Sequence, residues 1–144
     1  MNLLKQLTSI TLITFILLYS PFARAVDNKH KLVIQISTND LRAQETALGN
    51  IVNLQKHYGM DNIEIELVAF GPGYRLLTPQ HSLAPRIASL ALQEITFTAC
   101  LNTLNAIKEK TGFKPELIEG ITTTKAGVAR IIELQEDGYS YIKY

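Results

Sequence analysis

An α/β domain of three layers (αβα), helices covering a mainly parallel sheet of about five strands, is the fold class this sequence predicts. Three observations lead there. Short runs rich in β-branched residues alternate along the chain with longer segments whose apolar residues recur at helical spacing. Clusters of Gly, Pro, Asn and Asp mark the joints, where turn chemistry is needed. The run Ile63 to Phe70 begins by alternating and ends wholly apolar, as a strand does when it enters a core covered on both faces.

The first 25 residues read as a secretory signal rather than as part of that fold. Lys5 and the amino terminus form a short basic region, and Leu7 to Tyr19 is an uncharged apolar stretch. Ala23-Arg24-Ala25 has the small-x-small pattern that signal peptidase needs. A membrane anchor requires about 20 apolar residues to cross ~30 Å of hydrocarbon. This run is shorter, holds several Ser and Thr, and is broken by Pro21. Cleavage after Ala25 leaves one domain, residues 26–144, in the periplasm or otherwise secreted and with no membrane tie. Loss of Lys5 and Arg24 moves the net charge from +1 to −1. Without a basic stripe, neither nucleic acid nor an anionic membrane surface is an expected partner.

Lys31-Leu-Val-Ile-Gln-Ile-Ser37 opens the domain as a strand, and Thr38-Asn39-Asp40 supplies helix-capping side chains directly after it. Leu41, Ala47, Leu48, Ile51, Val52 and Tyr58 then recur at helical spacing, with Gly59 placed to stop the helix. The second strand, Ile63 to Phe70, ends at Gly71-Pro72-Gly73, followed by a helical turn over Tyr74 to Thr78 and a loop over Pro79 to Ser82. Leu83 to Glu94 reads as a helix, Ile95 to Cys100 as the third strand and Leu101 to Lys110 as the next helix. Leu117 and Ile118 mark a short fourth strand. A last helix, Ala126 to Glu136, carries Val128, Ile131, Ile132 and Leu134, and Tyr139 to Tyr144 closes the sheet. Right-handed crossovers bring Thr38–Asp40, Gly71–Arg75, Cys100–Asn102 and Gly120–Lys125 to the carboxyl edge, where open α/β sheets bind ligands.

Cys100 is the single cysteine, so no disulfide forms within the chain. It ends a strand at or just before a helix start, and the free N–H groups of a helix N-terminus favour thiolate over thiol. Of His30, His57 and His81 only His81 approaches that edge, so no cysteine-hydrolase arrangement can be read. No cluster with metal-ligand spacing is present, and no metal or cofactor is expected.

Val68-Ala-Phe-Gly-Pro-Gly-Tyr-Arg-Leu-Leu77, Ile95-Thr-Phe-Thr-Ala-Cys-Leu-Asn-Thr-Leu104 and Gly127-Val-Ala-Arg-Ile-Ile-Glu-Leu-Gln-Glu-Asp-Gly-Tyr-Ser-Tyr-Ile142 carry a resemblance. In that order, across nearly the whole of residues 26–144, the chain resembles the DsrE/DsrF-like family of the sulfur-relay superfamily. The resemblance implies a compact α/β domain assembled as a homotrimer or hexamer. It also implies a persulfide on a cysteine that follows a core strand, the position of Cys100. The cytoplasmic members carry Arg-Gly soon after that cysteine, whereas this chain continues Leu101-Asn-Thr-Leu-Asn-Ala106.

The expected function is therefore that of an exported sulfur carrier or sulfurtransferase holding a persulfide on Cys100. Arg75 and Lys125, in carboxyl-edge loops, are the candidates to hold an anionic sulfur species. Asn102 and Gly73 complete the substrate-binding candidates, although Asn102 with Thr103 also serves to cap or start the helix and Gly73 with Gly71 to shape a tight turn. Its partners would be other copies of itself and a sulfur donor or acceptor, whether a protein or a small sulfur species. The competing reading is an oligomeric, non-catalytic module that binds a small ligand at the same edge, with Cys100 as packing. Tyr139, Tyr141 and Tyr144 on one short strand point to packing or to a contact surface between subunits.

Overall fold

The computed structural model describes residues 29–144, so the expected signal segment, residues 1–25, lies outside the described residues. Five strands, β1 (His30–Ile36), β2 (Ile63–Ala69), β3 (Thr96–Cys100), β4 (Thr122–Thr124) and β5 (Ser140–Lys143), form one sheet in the order β4-β3-β2-β1-β5. Every pairing is parallel, with β1 and β2 in register from His30 beside Ile63 to Ile36 beside Ala69. Four helices connect them: α1 (Leu41–Tyr58), α2 (Ala84–Ala91), α3 (Leu101–Thr111) and α4 (Gly127–Glu136). Among the described residues no helix is long and apolar enough to cross a membrane.

Local chemistry sets the helix ends. The Asp40 carboxylate accepts the N–H groups of Arg42 (2.8 Å) and Ala43 (3.3 Å), two of the donors that the first turn of α1 leaves unpaired. Gly59, at φ 87°, turns the chain out of α1. After β2 the segment Gly71–Leu77 coils as a 3-10 helix.

Strand alternation divides the interior into two cores. Ile34, Ile36, Ile65, Leu67 and Phe97 point to one face, where Leu48 and Ile51 of α1, Ile87 and Leu90 of α2 and Leu104 of α3 cover them. Val33 and Val68 point to the other, under Ile131 and Leu134 of α4 and beside Tyr139. Each such side chain contributes about 1.5–3 kcal/mol when fully removed from water. The layers are uneven, with three helices on one face and one on the other. α4 leaves part of β3 and β4 uncovered, as a groove of about 300 Å³ lined by Thr96, Thr98, Thr122 and Thr124.

Beside that groove Glu66 is a buried carboxylate, 4 % exposed. Arg130 of α4 donates to both oxygens (3.0 and 2.7 Å) and the Thr98 hydroxyl adds a third bond (2.7 Å). The same contact ties α4 to β2.

Two expectations are corrected. The fourth strand is Thr122–Thr124, paired with Thr98 to Cys100, and not Leu117 and Ile118. Those two lie half-buried in the preceding coil, where the Ile118 N–H donates to the Leu77 carbonyl (3.0 Å). Their apolarity reports packing against the core, whereas the β-branched threonines take the extended backbone. The helix expected over Leu83 to Glu94 ends at Ala91, because the N–H groups of Gln93 and Ile95 both return to the Leu90 carbonyl and Glu94 adopts φ 63°. On α4, Val128 and Ile132 face solvent at 56 % and 52 % exposure, since a single helix on its face has nothing beyond it to pack against.

The closing tyrosines differ in burial, with Tyr139 just before β5, Tyr141 within it and Tyr144 just after it. Tyr139 is buried and donates to the Glu64 carboxylate; burial first, then that bond, pushes its phenol well above its ordinary range. Tyr141 is exposed and donates to Gln35 (2.6 Å), while the Tyr144 oxygen meets the Asn50 amide at 2.5 Å.

Candidate functional site

Because the described strands all run the same way, β1 to β4 deliver their outgoing loops to one carboxyl edge. Cys100 stands there as the last residue of β3 and the N-cap of α3, with extended backbone (φ −80°, ψ 115°). Its Cβ points to the α4 face, the side that Thr96 and Thr98 also take. Gly127, the first residue of α4, donates its N–H to the Cys100 sulfur at 3.3 Å. The sulfur therefore sits where the N-termini of α3 and α4 converge, and both contribute partial positive charge and unpaired N–H groups.

Two influences on this thiol oppose each other. Burial is the largest and favours the neutral form, since Cys100 is only 5 % exposed. The N–H groups of Thr103, Gly127 and Asn102, with the Thr103 hydroxyl, favour the thiolate. Together they outweigh burial, so the thiol ionises below its ordinary range. Thr103 is free to donate because its oxygen already accepts the Gly71 N–H (3.0 Å), leaving the hydroxyl proton for the sulfur. In the thiol form the sulfur also lies 4.0 Å from the Lys125 carbonyl.

Close approach at Gly127 builds this arrangement. A Cβ there would stand 3.0 Å from the Phe70 ring and 3.3 Å from the Cys100 Cβ. Only a glycine lets the start of α4 settle against both without one of them giving way.

The other expected residues fall in different places. Asn102 adjoins the thiol through its backbone, its N–H donating to the Lys125 carbonyl (3.2 Å) while its side chain is exposed. Lys125 likewise meets the site through its carbonyl, and its side chain is exposed. Gly73 is buried against the end of β1; a Cβ there would lie 2.2 Å from the Ile36 carbonyl oxygen, so it serves packing. Arg75 is exposed on the 3-10 segment, over the Tyr74 ring at 5.7 Å. It lines a cavity of about 550 Å³ that reaches Thr103, and Cys100 does not line that cavity.

Thr103 and Gly127 are the contributors that sequence reading did not assign to the thiol. Thr103 had a signal: it is the third residue after an N-cap, where a polar side chain turns back toward the cap. Gly127 had none, lying 27 positions away. Among the described residues no group of three His, Cys, Asp or Glu side chains could hold a metal ion.

Neither a family model nor a curated protein matches this sequence. Solved structures do. A protein of unknown function from Methanobacterium thermoautotrophicum, MTH1491, is 27 % identical, covers 81 % of this chain and 100 % of its own, and superposes with a TM-score of 0.73. The ychN protein from E. coli is 13 % identical, over 80 % of this chain and 99 % of its own, with a TM-score of 0.62. The Bacteroides thetaiotaomicron protein of unknown function BT1422 is 19 % identical over 79 % and 94 %, with a TM-score of 0.57. This chain shares with all three a whole-domain α/β fold of three layers around a parallel sheet.

Proposed function

We propose that this protein is an exported DsrE/DsrF-like sulfur carrier that holds sulfur as a persulfide on Cys100 and works as a homotrimer or hexamer. One observation carries the reading: the Cys100 sulfur lies between two helix N-termini, with the Gly127 N–H directed at it (3.3 Å). Such a setting stabilises a thiolate before transfer and an anionic persulfide after it. In the transfer, the Cys100 thiolate attacks the outer sulfur of a donor persulfide or polysulfide. A new S–S bond forms, the donor's S–S bond breaks, and the donor leaves as thiolate with the electron pair, so no outside oxidant or reductant enters. The sulfur chain would extend from the carboxyl edge, with the N–H of Gly127 and the hydroxyl of Thr103 beside it.

Export rests on the signal-like first 25 residues, and assembly on the exposed Val128 and Ile132 of α4. Intact-mass spectrometry after exposure to polysulfide tests the carrier role. The expected product is heavier by about 32 Da, one sulfur atom, reverts with dithiothreitol and is absent from Cys100→Ser. An unmodified mass under those conditions, with Cys100 still open to a small alkylating agent, overturns it.

A further inference from the structure

A cavity of about 610 Å³ lies elsewhere on the carboxyl edge and does not include Cys100. It opens between the start of α1, the 3-10 segment with the loop after it, and the coil that follows α3. We propose that it is a binding site for a small organic anion with a planar apolar body, such as an aromatic carboxylate. Arg75 and Lys114 supply the charge, Phe113, Tyr74 and Leu41 the apolar walls, and His81 a fixed hydrogen-bond donor.

The volume falls within the ~300–1,000 Å³ usual for small-molecule sites. Its charges favour an anion, because Arg75 and Lys114 face only one carboxylate, Glu116. Arg75 is held over Tyr74 at 5.7 Å, which presents its guanidinium fork for a planar carboxylate. The Nδ1 of His81 accepts the Leu83 N–H (3.2 Å), so the proton resides on Nε2, and burial keeps the ring neutral. A neutral imidazole with a defined N–H adds a directional donor without further charge.

Phe113 is the most pointed observation. The residue is 81 % exposed, a poor place for a large apolar side chain that only packs. Yet its backbone N–H is held, since the Thr111 hydroxyl, which donates to the Ile107 carbonyl (2.8 Å), accepts it (3.2 Å). Such a residue presents its ring at the cavity rim at little cost in ordering, as aromatic contact residues do. This site stands apart from the sulfur-carrier reading and survives its failure.

Titration calorimetry of the purified protein with 2-naphthoate, and with uncharged 2-naphthamide, tests it. The expected result is one site per chain, with naphthamide at least about tenfold weaker through loss of the charge-assisted bonds. Arg75→Met should weaken naphthoate about tenfold for the same reason. Phe113→Ala should weaken both ligands about fivefold through the lost ring contact. Both residues are exposed, so each variant should fold like the parent. Lys56→Met, an exposed cation outside the cavity, should leave binding unchanged. No saturable heat up to about 5 mM, far weaker than the usual small-ligand range, overturns the proposal. So does equal affinity for acid and amide, or a loss with Lys56→Met that matches Arg75→Met.

Discussion

At the scale of single residues, Cys100 sets a buried sulfur against a ring of donors. Its reaction with a small alkylating agent should titrate with a midpoint below the ~8.5 of a free cysteine. A bulky maleimide should lag far behind, because only 5 % of the residue is exposed. Thr103→Val removes the hydroxyl donor and should move the midpoint upward; an unchanged midpoint would show that hydroxyl to be irrelevant. The sign for stability follows by linkage. A thiol that ionises more readily folded than unfolded adds stability as pH rises from its folded pKa to its unfolded value. That contribution is complete above the unfolded value of about 8.5 and gone below the folded one. Urea denaturation of the native protein and Cys100→Ser should therefore diverge between neutral and alkaline pH, and converge as pH falls.

At the scale of elements, the 3-10 segment Gly71–Leu77 is held by contact with β1 as well as by its own turns. Its Gly73 has no room for a methyl group, with the Ile36 carbonyl oxygen 2.2 Å and its carbon 2.7 Å from the ideal Cβ position. Gly73→Ala should cost about 3 kcal/mol or more, since backbone and not a flexible side chain would have to move. Gly112 offers the contrast. It caps α3 at φ 81° with nothing within 4 Å, so Gly112→Ala meets only the left-handed backbone cost of about 1–2 kcal/mol. Urea midpoints of the two variants, compared at equal slope, check the ordering. Equal losses would mean that the segment yields readily and that Gly73 is not its anchor.

At the scale of the whole molecule, the uneven layers leave the α4 face as the surface with reason to be covered. Val128 and Ile132, one turn apart, are exposed on the single helix of that face. The two sheet edges are strands of three and four residues, short enough to discourage open-ended pairing. A closed assembly through α4 would bury the apolar pair without relying on the edges. Light scattering at micromolar concentration should give a trimer or hexamer, and the double variant Val128→Glu, Ile132→Glu should fall to monomer. A wild-type mass of one subunit, constant on concentration, would remove the assembly from the proposed function.

What the sequence determined alone is what physical chemistry decides locally. The helical recurrence from Leu41, the Asp40 cap, the Gly59 stop and the passage from strand to helix at Cys100 each depend on residues within a few positions of one another. Their alternation also implied parallel pairing and the carboxyl edge. The tertiary structure decided everything that depends on which distant segments meet. Sheet order assigned the β4 position to three threonines rather than to the more apolar Leu117 and Ile118. The packing of α4 brought Gly127 onto the Cys100 sulfur, while Lys125 supplied its carbonyl instead of its charge. Arg75, close to the thiol in the order of loops, came to line the cavity with Phe113. Periodicity shows which face of a segment is buried; what lies against that face depends on register and layer, which only the assembled core selects.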